Sequence, residues 1–405
     1  MIAACRSCGS EDIRQVLSLG PAPLANRLPS LDASGSPEPR YQLDLCVCAA
    51  CSLAQLSDTV PPEVVFHDYP YLSSFSDTMV EHARGLAAIL IQRCSLDVDT
   101  LVLEIGSNDG YLLQHFAAAG VPVLGIDPAR DAAEHANQRG VPTRQLFFGA
   151  ATADDLIREG IRPRVIVANN VLAHVPDVND VVSGVRRLLS PDGVFVIETP
   201  YIRDLIDGLE FDTIYHEHVF YYSFTALARL LARHGLMPLD VDRVPIHGGS
   251  IRTIAQAGAS RSDAAERVLQ EEAEWGACAE ETYSNLAGRI AARRRELREL
   301  LLERKRAGRR IAAYGAAAKG VMLLHALGVG HDVLDFVVDR SPRKQGRRMP
   351  GADVPILAPA ELLVQMPDDV LLLAWNLRDE ILEQQAEYRC RGGTFIIPLP
   401  ELQIV

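Results

Sequence analysis

The sequence predicts an α/β protein in three parts: a small cysteine-rich domain, a doubly wound open sheet, and a second, smaller α/β domain at the C-terminus. Three observations carry this. Two C-x-x-C pairs, Cys5/Cys8 and Cys48/Cys51, lie near the N-terminus; short apolar runs alternate with helical patterns from about Asp77; and the alternation resumes after a charged helical stretch ending near Gly308. A chain of 405 residues exceeds one ordinary core, and the changes in texture place boundaries at 1–65, 66–260, 261–308 and 309–405.

Residues 1–65 carry only short apolar stretches, Ile13 to Leu19 and Leu53 to Leu56, so this part is expected to be held by something other than a core. Five of the eight cysteines precede residue 52. The paired spacing lets Cys5, Cys8, Cys48 and Cys51 wrap one tetrahedral ion, and four thiolates leave no open position, so a structural zinc is expected. Cys46 is a fifth thiol whose involvement the spacing leaves open. A redox role for either pair is disfavoured because neither opens a helix after a strand. Cys94, Cys278 and Cys390 stand alone and read as small buried apolar side chains.

The second part begins with a helix running through Cys94. Strand Leu101–Gly106, a helix from Tyr111 and strand Val121–Ile126 follow, then strands Arg164–Asn169 and Gly193–Glu198. Residues 261–308 read as long helices in which Arg293, Arg294, Arg295, Arg298, Arg304, Lys305 and Arg306 interleave with Glu296, Glu299 and Glu303, a salt-bridged solvated face. From Ile311 the third part repeats the alternation, with strands Val333–Val338, Val370–Trp375 and Thr394–Ile397.

Hydrophobic content of 48% and charged content of 23% are those of a soluble globular protein. A net charge of −13 argues against nucleic-acid and anionic-membrane partners. No apolar run reaches the roughly 18–20 residues of a membrane span, and MIAACRSCGS lacks signal-peptide character. The expectation is a cytoplasmic monomer or weak homo-oligomer.

Glu104-Ile-Gly106-Ser107-Asn108-Asp109-Gly110 joins a strand to a helix, where a doubly wound sheet binds cofactors, and Asp127 ends the next strand, placed to accept from ribose hydroxyls. A dinucleotide loop needs G-x-G-x-x-G, and here Asn108 replaces the middle glycine and the third is missing. Glu104 and Asp109 would repel a diphosphate but suit the ammonium and sulfonium of S-adenosylmethionine. Pro128, Phe148, Asn169 and Asn170 complete the candidate cofactor residues.

The chain resembles the bacterial sugar C-methyltransferases, such as the deoxysugar 3-C-methyltransferases of antibiotic biosynthesis. The segments that carry this are CRSC and CAAC, YPYLSS, EIGSNDGYLL, NNVLAHVPD, FDTIYHEH, HGGS, YGAAAKG, VVDRSPRKQG and AWNLRDEI, spanning nearly the whole length in the family's order. The resemblance implies a zinc-binding N-terminal domain, a class I, Rossmann-like methyltransferase core and a C-terminal Rossmann-like domain. It implies methylation alpha to a ketone of a nucleotide-diphosphate keto-deoxysugar, at C-3 of a dTDP-linked 4-keto sugar.

Methylating carbon requires an enolate, hence a base, an oxyanion stabiliser and a grip on the sugar. The resemblance implies that His218 is the base, with Glu217 and Tyr215 beside it. His174 is a second candidate, as a donor to the enolate oxygen or as a cap on the cofactor loop. Tyr69 and Tyr71 match a family segment that reaches the sugar. His247 and Gly248 lie in a turn read as bringing backbone close to a ligand.

Tyr314-Gly315-Ala-Ala-Ala-Lys319 opens a helix with one cation, which suits an anion, and Asp339, Arg340 and Lys344 follow the next strand. This second loop is read as the grip on the acceptor's diphosphate, with a purely scaffolding fold as the alternative. The competing readings are an O- or N-methyltransferase acting on a nucleotide sugar or other small metabolite, a nicotinamide oxidoreductase, and a non-catalytic zinc- and nucleotide-binding protein.

Overall fold

A computed structural model describes residues 2–33, 38–61, 64, 72–277 and 279–405. Strands β1 (Ile13–Pro23), β2 (Arg40–Cys48) and β3 (Ala54–Leu56) form an antiparallel meander. β2 alternates at its start, with Leu43 buried between exposed Gln42 and half-buried Asp44, and then runs buried from Leu45 to Cys48. The expectation that residues 1–65 lack a core is therefore corrected. Leu17, Leu43, Leu45 and Leu56 are buried in one cluster with Leu205, Ile290, Leu297 and Val321. These partners come from remote segments, so a window of 65 residues does not reveal the core they complete.

The central sheet starts with β4 (Val102–Ile105), β5 (Val123–Ile126), β6 (Thr143–Arg144), β7 (Val165–Asn169) and β8 (Val194–Pro200), all parallel. Each of the four expected strands is present and begins one or two residues later than expected. β9 (Phe220–Tyr221) leaves this sheet and pairs with β3, becoming the fourth strand of the N-terminal sheet. β10 (Met237–Val244) and β11 (Ser250–Gln256) form a hairpin that adds antiparallel to β8. The resulting order is β10-β11-β8-β7-β4-β5-β6. The order reverses between β4 and β7, so the loops leaving their carboxyl ends part and open a crevice.

Three helices, Asp263–Trp275, Glu280–Ser284 and Leu286–Arg306, lead to the C-terminal sheet, and the last stops before Gly308, whose φ is 78°. That sheet runs β14 (Ile356–Leu357), β13 (Val337–Val338), β12 (Ile311–Tyr314), β15 (Asp369–Leu372), β16 (Thr394–Ile397) and β17 (Gln403–Ile404). All neighbours are parallel except β17. The expected strand Val333–Val338 is reduced to its last two residues, and Trp375 stands in a 3-10 turn beyond β15. Cys390 is exposed rather than buried, because Tyr388 takes the inward position of its short helix. Cys278 lies outside the described residues.

One segment joins the central and C-terminal parts. Ser73 N–H donates to Asn108 Oδ1 at 2.9 Å, and the Ser74 hydroxyl donates to Asp109. A few residues on, Glu380 Oε2 accepts from Ser76 Oγ and Thr78 N, both at 3.1 Å, and from Thr78 Oγ1 at 2.6 Å. Arg340 adds ion pairs to Glu380 at 3.0 Å and Asp77 at 3.4 Å.

Behind the crevice Glu198, on β8, is buried between His82 Nε2 at 2.6 Å and Arg252 Nε at 2.9 Å. Burial pushes its carboxyl up, but the His82 hydrogen bond and the charges of His82 and Arg252 outweigh burial and hold it below the usual value of 4.5. A depressed folded pKa stabilises the fold above the unfolded pKa, and the contribution fades as pH falls through the folded value. Arg252→Leu is expected to cost about 3–5 kcal/mol by leaving a buried charge half-paired. Denaturant midpoints at pH 7 and pH 4 check this, with a smaller difference between wild type and variant at the lower pH.

Candidate active site and zinc centre

The two cysteine pairs form matching knuckles. Gly9 N–H donates to the Cys5 carbonyl at 2.8 Å and Ser52 N–H to the Cys48 carbonyl at 2.9 Å, turning each second thiol back toward the first. Cys5 Sγ lies 3.6 Å from Cys51 Sγ, and Cys8 Sγ lies 3.6 Å from Cys48 Sγ. All four sulfurs fall within 4.8 Å of one another. Zinc–sulfur bonds of about 2.3 Å give a tetrahedron with edges of about 3.8 Å, so these thiols fit zinc and fill its coordination sphere. Gln55 Nε2 donates to Cys5 Sγ at 3.1 Å, fixing a ligand from β3. Cys46 is buried but outside this cluster.

Beyond β4 the loop turns sharply. Gly106 has φ 66°, and a Cβ there would come 2.6 Å from Val171, so glycine is required. Asp127, at the end of β5, accepts from Asn108 N–H and Ala129 N–H, both at 2.8 Å. Its carboxylate therefore shapes the loop, and burial pushes its pKa up to about 6. Glu104 is fully buried beneath the loop, and neither of its oxygens meets a hydrogen-bond partner among the described residues. Burial, reinforced by Asp127 and Asp109, raises its pKa well above normal. A buried carboxylate without a partner is satisfied by an ammonium, which the amino-acid end of adenosylmethionine carries. Asp109 Oδ2 accepts from Ser74 and lies 3.5 Å from Arg139, while its buried Oδ1 meets no hydrogen-bond partner among the described residues.

A cavity of about 360 Å³ opens here. Gly106, Asn108, Asp127, Pro128, Phe148, Asn169 and Asn170 line its central-sheet side, while Glu104, Ser107 and Gly110 are not among the lining residues. Opposite them stand Tyr215 and His218, between the 3-10 turn Phe211–Thr213 and β9. His218 Nδ1 is 3.0 Å from the Thr213 carbonyl, which can only accept, so Nδ1 carries the proton. Nε2 therefore presents a lone pair, and the Tyr215 hydroxyl donates to it at 2.7 Å. Burial above all, with the neighbouring His174, His247 and Lys319, pulls the His218 pKa well below 6.5. His174 also lines the cavity, its ring centre 4.7 Å from that of His218, with its pKa lowered by burial to about 4.

Glu217 is not among the residues that line the cavity, and its Oε1 accepts from Asn26 Nδ2 at 3.1 Å. Asn26 does line the cavity, so the N-terminal part contributes to it. Nothing in the local pattern around Asn26 signals this. Of the residues expected to hold the acceptor, Lys319, Lys344 and His247 line the cavity, whereas Tyr314, Gly315, Asp339, Arg340 and Gly248 do not. Asp339 accepts from Ala316 N–H and Ser341 N–H, both at 2.8 Å, and Lys344 Nζ donates to the Ala316 carbonyl at 2.9 Å. Gly248, with φ 101°, packs so tightly on Glu210 that a Cβ would overlap the carboxylate. Its Cα face therefore packs on the Glu210 side chain, while the neighbouring His247 lines the cavity. Tyr69 and Tyr71 lie outside the described residues.

The sequence matches three family models: a zinc binding domain over residues 5–66, a methyltransferase domain over 79–241, and a C-methyltransferase C-terminal domain over 245–400. It is 38% identical to the C-methyltransferase NovU of Streptomyces niveus across 100% of this chain and 97% of that protein. The chain belongs to the C-methyltransferase family. A ubiquinone biosynthesis O-methyltransferase of Azorhizobium caulinodans is 30% identical over 24% of this C-methyltransferase and 39% of its own length. A solved magnesium protoporphyrin IX methyltransferase of Synechocystis PCC 6803 overlays 44% of this chain and 79% of its own, with 15% identity and a TM-score of 0.35. The C-methyltransferase binds S-adenosylmethionine in its central part and zinc in its N-terminal part. No helix among the described residues is long and apolar enough to cross a membrane.

Metal analysis of C-methyltransferase purified without chelator is expected to find one zinc per chain, and Cys48→Ser to lose it with unfolding of the N-terminal sheet, read by limited proteolysis. Asp127→Ala is expected to weaken adenosylmethionine by about 1–3 kcal/mol in calorimetry, because one side chain both shapes the loop and faces the cavity.

Proposed function

We propose that this C-methyltransferase methylates the carbon alpha to the ketone of a nucleotide-diphosphate keto-deoxysugar, at C-3 of a dTDP-linked 4-keto sugar. The observation that carries this reading is the neutral His218, tautomer fixed by Thr213, with its Nε2 lone pair in the cavity that Gly106, Asn108 and Asp127 also line. Bound adenosylmethionine supplies a methyl group made electrophilic by its sulfonium.

The protein's task is to make a carbon nucleophile. His218 Nε2 receives the proton from the carbon beside the ketone, and the electron pair is left as an enolate. Tyr215 occupies that lone pair, so its hydroxyl either turns aside or hands its own proton to His218 while taking the sugar's. Asn26 and Glu217 brace the base segment from behind. Asn108 and Asp127 hold the methyl donor, with Glu104 receiving its ammonium. The C-terminal loop near Lys344 faces the nucleotide end. The full-length likeness to a C-methyltransferase supports transfer to carbon rather than to oxygen or nitrogen.

The test uses dTDP-4-keto-6-deoxyglucose in deuterated water with S-adenosylhomocysteine. Wild type is expected to wash deuterium into C-3, and His218→Ala to slow exchange and turnover about 10²–10⁴-fold while both ligands still bind. Exchange that persists unchanged in the variant rejects His218 as the base, and deuterium at C-5 moves the methylation site. Tyr215→Phe separates relay from turning aside: lost exchange means relay. Because the His218 pKa is depressed, the basic form survives acidification, and the acidic limb of kcat is expected below pH 6.5.

A further inference from the structure

Lys319 opens the helix Ala318–Leu327 and lines the cavity. By sequence it belongs to an anion grip, but its surroundings are those of another role. Its Nζ is buried, and no acceptor among the described residues lies within hydrogen-bond reach. The amine sits 4.4 Å from the centre of the Trp375 ring. The Trp375 indole N–H donates to Asp212 Oδ2 at 2.7 Å, and Asp212 Oδ1 has no partner among the described residues.

Two acids share this pocket. Glu210 and Asp212 are both buried, and their charges favour the ammonium form of Lys319 against the burial that disfavours it. Burial raises Glu210 to about 8 and Asp212 to about 6, with Lys319 pulling both the other way. For Lys319 burial is the largest influence and lowers its pKa, while the charges of Asp212 and then Glu210 oppose that shift. The cluster lies at the base end of the cavity, where the charge of Lys319 is felt by both His218 and His247.

A diphosphate is a poor occupant here. Its permanent charge would face the Asp212 carboxylate across a medium with little water to screen it. A ketone oxygen is neutral until the proton leaves its neighbouring carbon, and it becomes charged only as the reaction proceeds. A fixed ammonium with unused N–H bonds favours that later state over the earlier one, which is what lowers a barrier.

We propose that the Lys319 ammonium is a catalytic residue of the transfer, donating to the acceptor's carbonyl oxygen and holding the negative charge that forms there as His218 removes the neighbouring proton. Asp212, Glu210 and Trp375 keep it charged and in place. The C–H bond breaks, its proton passes to His218 Nε2, and its electron pair is held as the enolate. That pair then forms the new carbon–carbon bond, the carbonyl is restored, Lys319 keeps its proton, and the sulfur that gave up the methyl leaves as a neutral thioether. This inference rests on the keto-sugar reading above.

The experiment uses the full-length zinc protein and its Lys319→Met and Lys319→Arg variants. Calorimetry measures binding of dTDP and of S-adenosylhomocysteine, and deuterium exchange into dTDP-4-keto-6-deoxyglucose measures enolate formation. Lys319→Met is expected to bind both ligands within about twofold of wild type while losing about 10²–10³ in exchange and in kcat, and Lys319→Arg to recover part of the loss. A Lys319→Met protein that exchanges at the wild-type rate overturns the inference, and does so most plainly if its dTDP affinity has collapsed, because that is the mark of an anion grip. If the Met variant loses its zinc or its S-adenosylhomocysteine binding, Lys319→Gln is read by the same criteria. Wild type that exchanges nothing overturns the keto-sugar reading and this inference with it, whereas wild-type exchange matched by the variant overturns this inference alone.

Discussion

Two backbone pairs, Ala54 with Tyr221 and Gln55 with Phe220, tie the zinc-bearing sheet to the strand that begins two residues after His218. The rest of the site depends on this junction. Gln55 sits in the pairing and also donates to a zinc thiolate. Successive residues of β9 serve different cores: Phe220 packs with Cys5, Cys48 and Cys51, and Tyr221 with Leu45 and Leu56. The ion therefore frames the base segment as well as the knuckles around it, although its own coordination sphere takes no part in the chemistry.

The two glycine loops solve one problem in one way. Asp127 and Asp339 each stand at the end of a neighbouring parallel strand, and each accepts two backbone N–H groups that would otherwise be left bare where the loop turns. What differs is the remaining charge. Glu104 lies under the first loop, while Lys319 and Lys344 attend the second. The same backbone device thus serves a cationic ligand on one side of the crevice and a site for developing negative charge on the other.

Features written in short sequence windows were legible. The zinc ligands, the first loop and Asp127 lie in local patterns, and each expected strand of the central sheet falls where its apolar run is. Features made by distant segments were not. The Asn26–Glu217 hydrogen bond spans 191 residues, and no spacing rule reaches that far. Lys319 reads as an anion ligand from its local helix start, and the sequence does not show that Asp212 and Glu210, whose charges act on it, come to it from the other α/β part. Gly248 was legible as a tight turn, but what it turns against, Glu210, was not. The tautomer of His218 depends on a carbonyl in the turn before it, which only coordinates reveal.

The segment Ser73–Thr78 is fastened at one end to Asn108 and Asp109 and at the other to Glu380. The segment thus links the first glycine loop to the helix Arg378–Gln384 of the C-terminal part. Its anchors also differ in kind: the Arg340 pairs are partly exposed and weaken as salt is added, while the hydrogen bonds to Glu380 do not share that screening to the same degree. Salt should therefore slacken the Asp77 side of this tie before it reaches the hydrogen bonds that Ser76 and Thr78 give to Glu380.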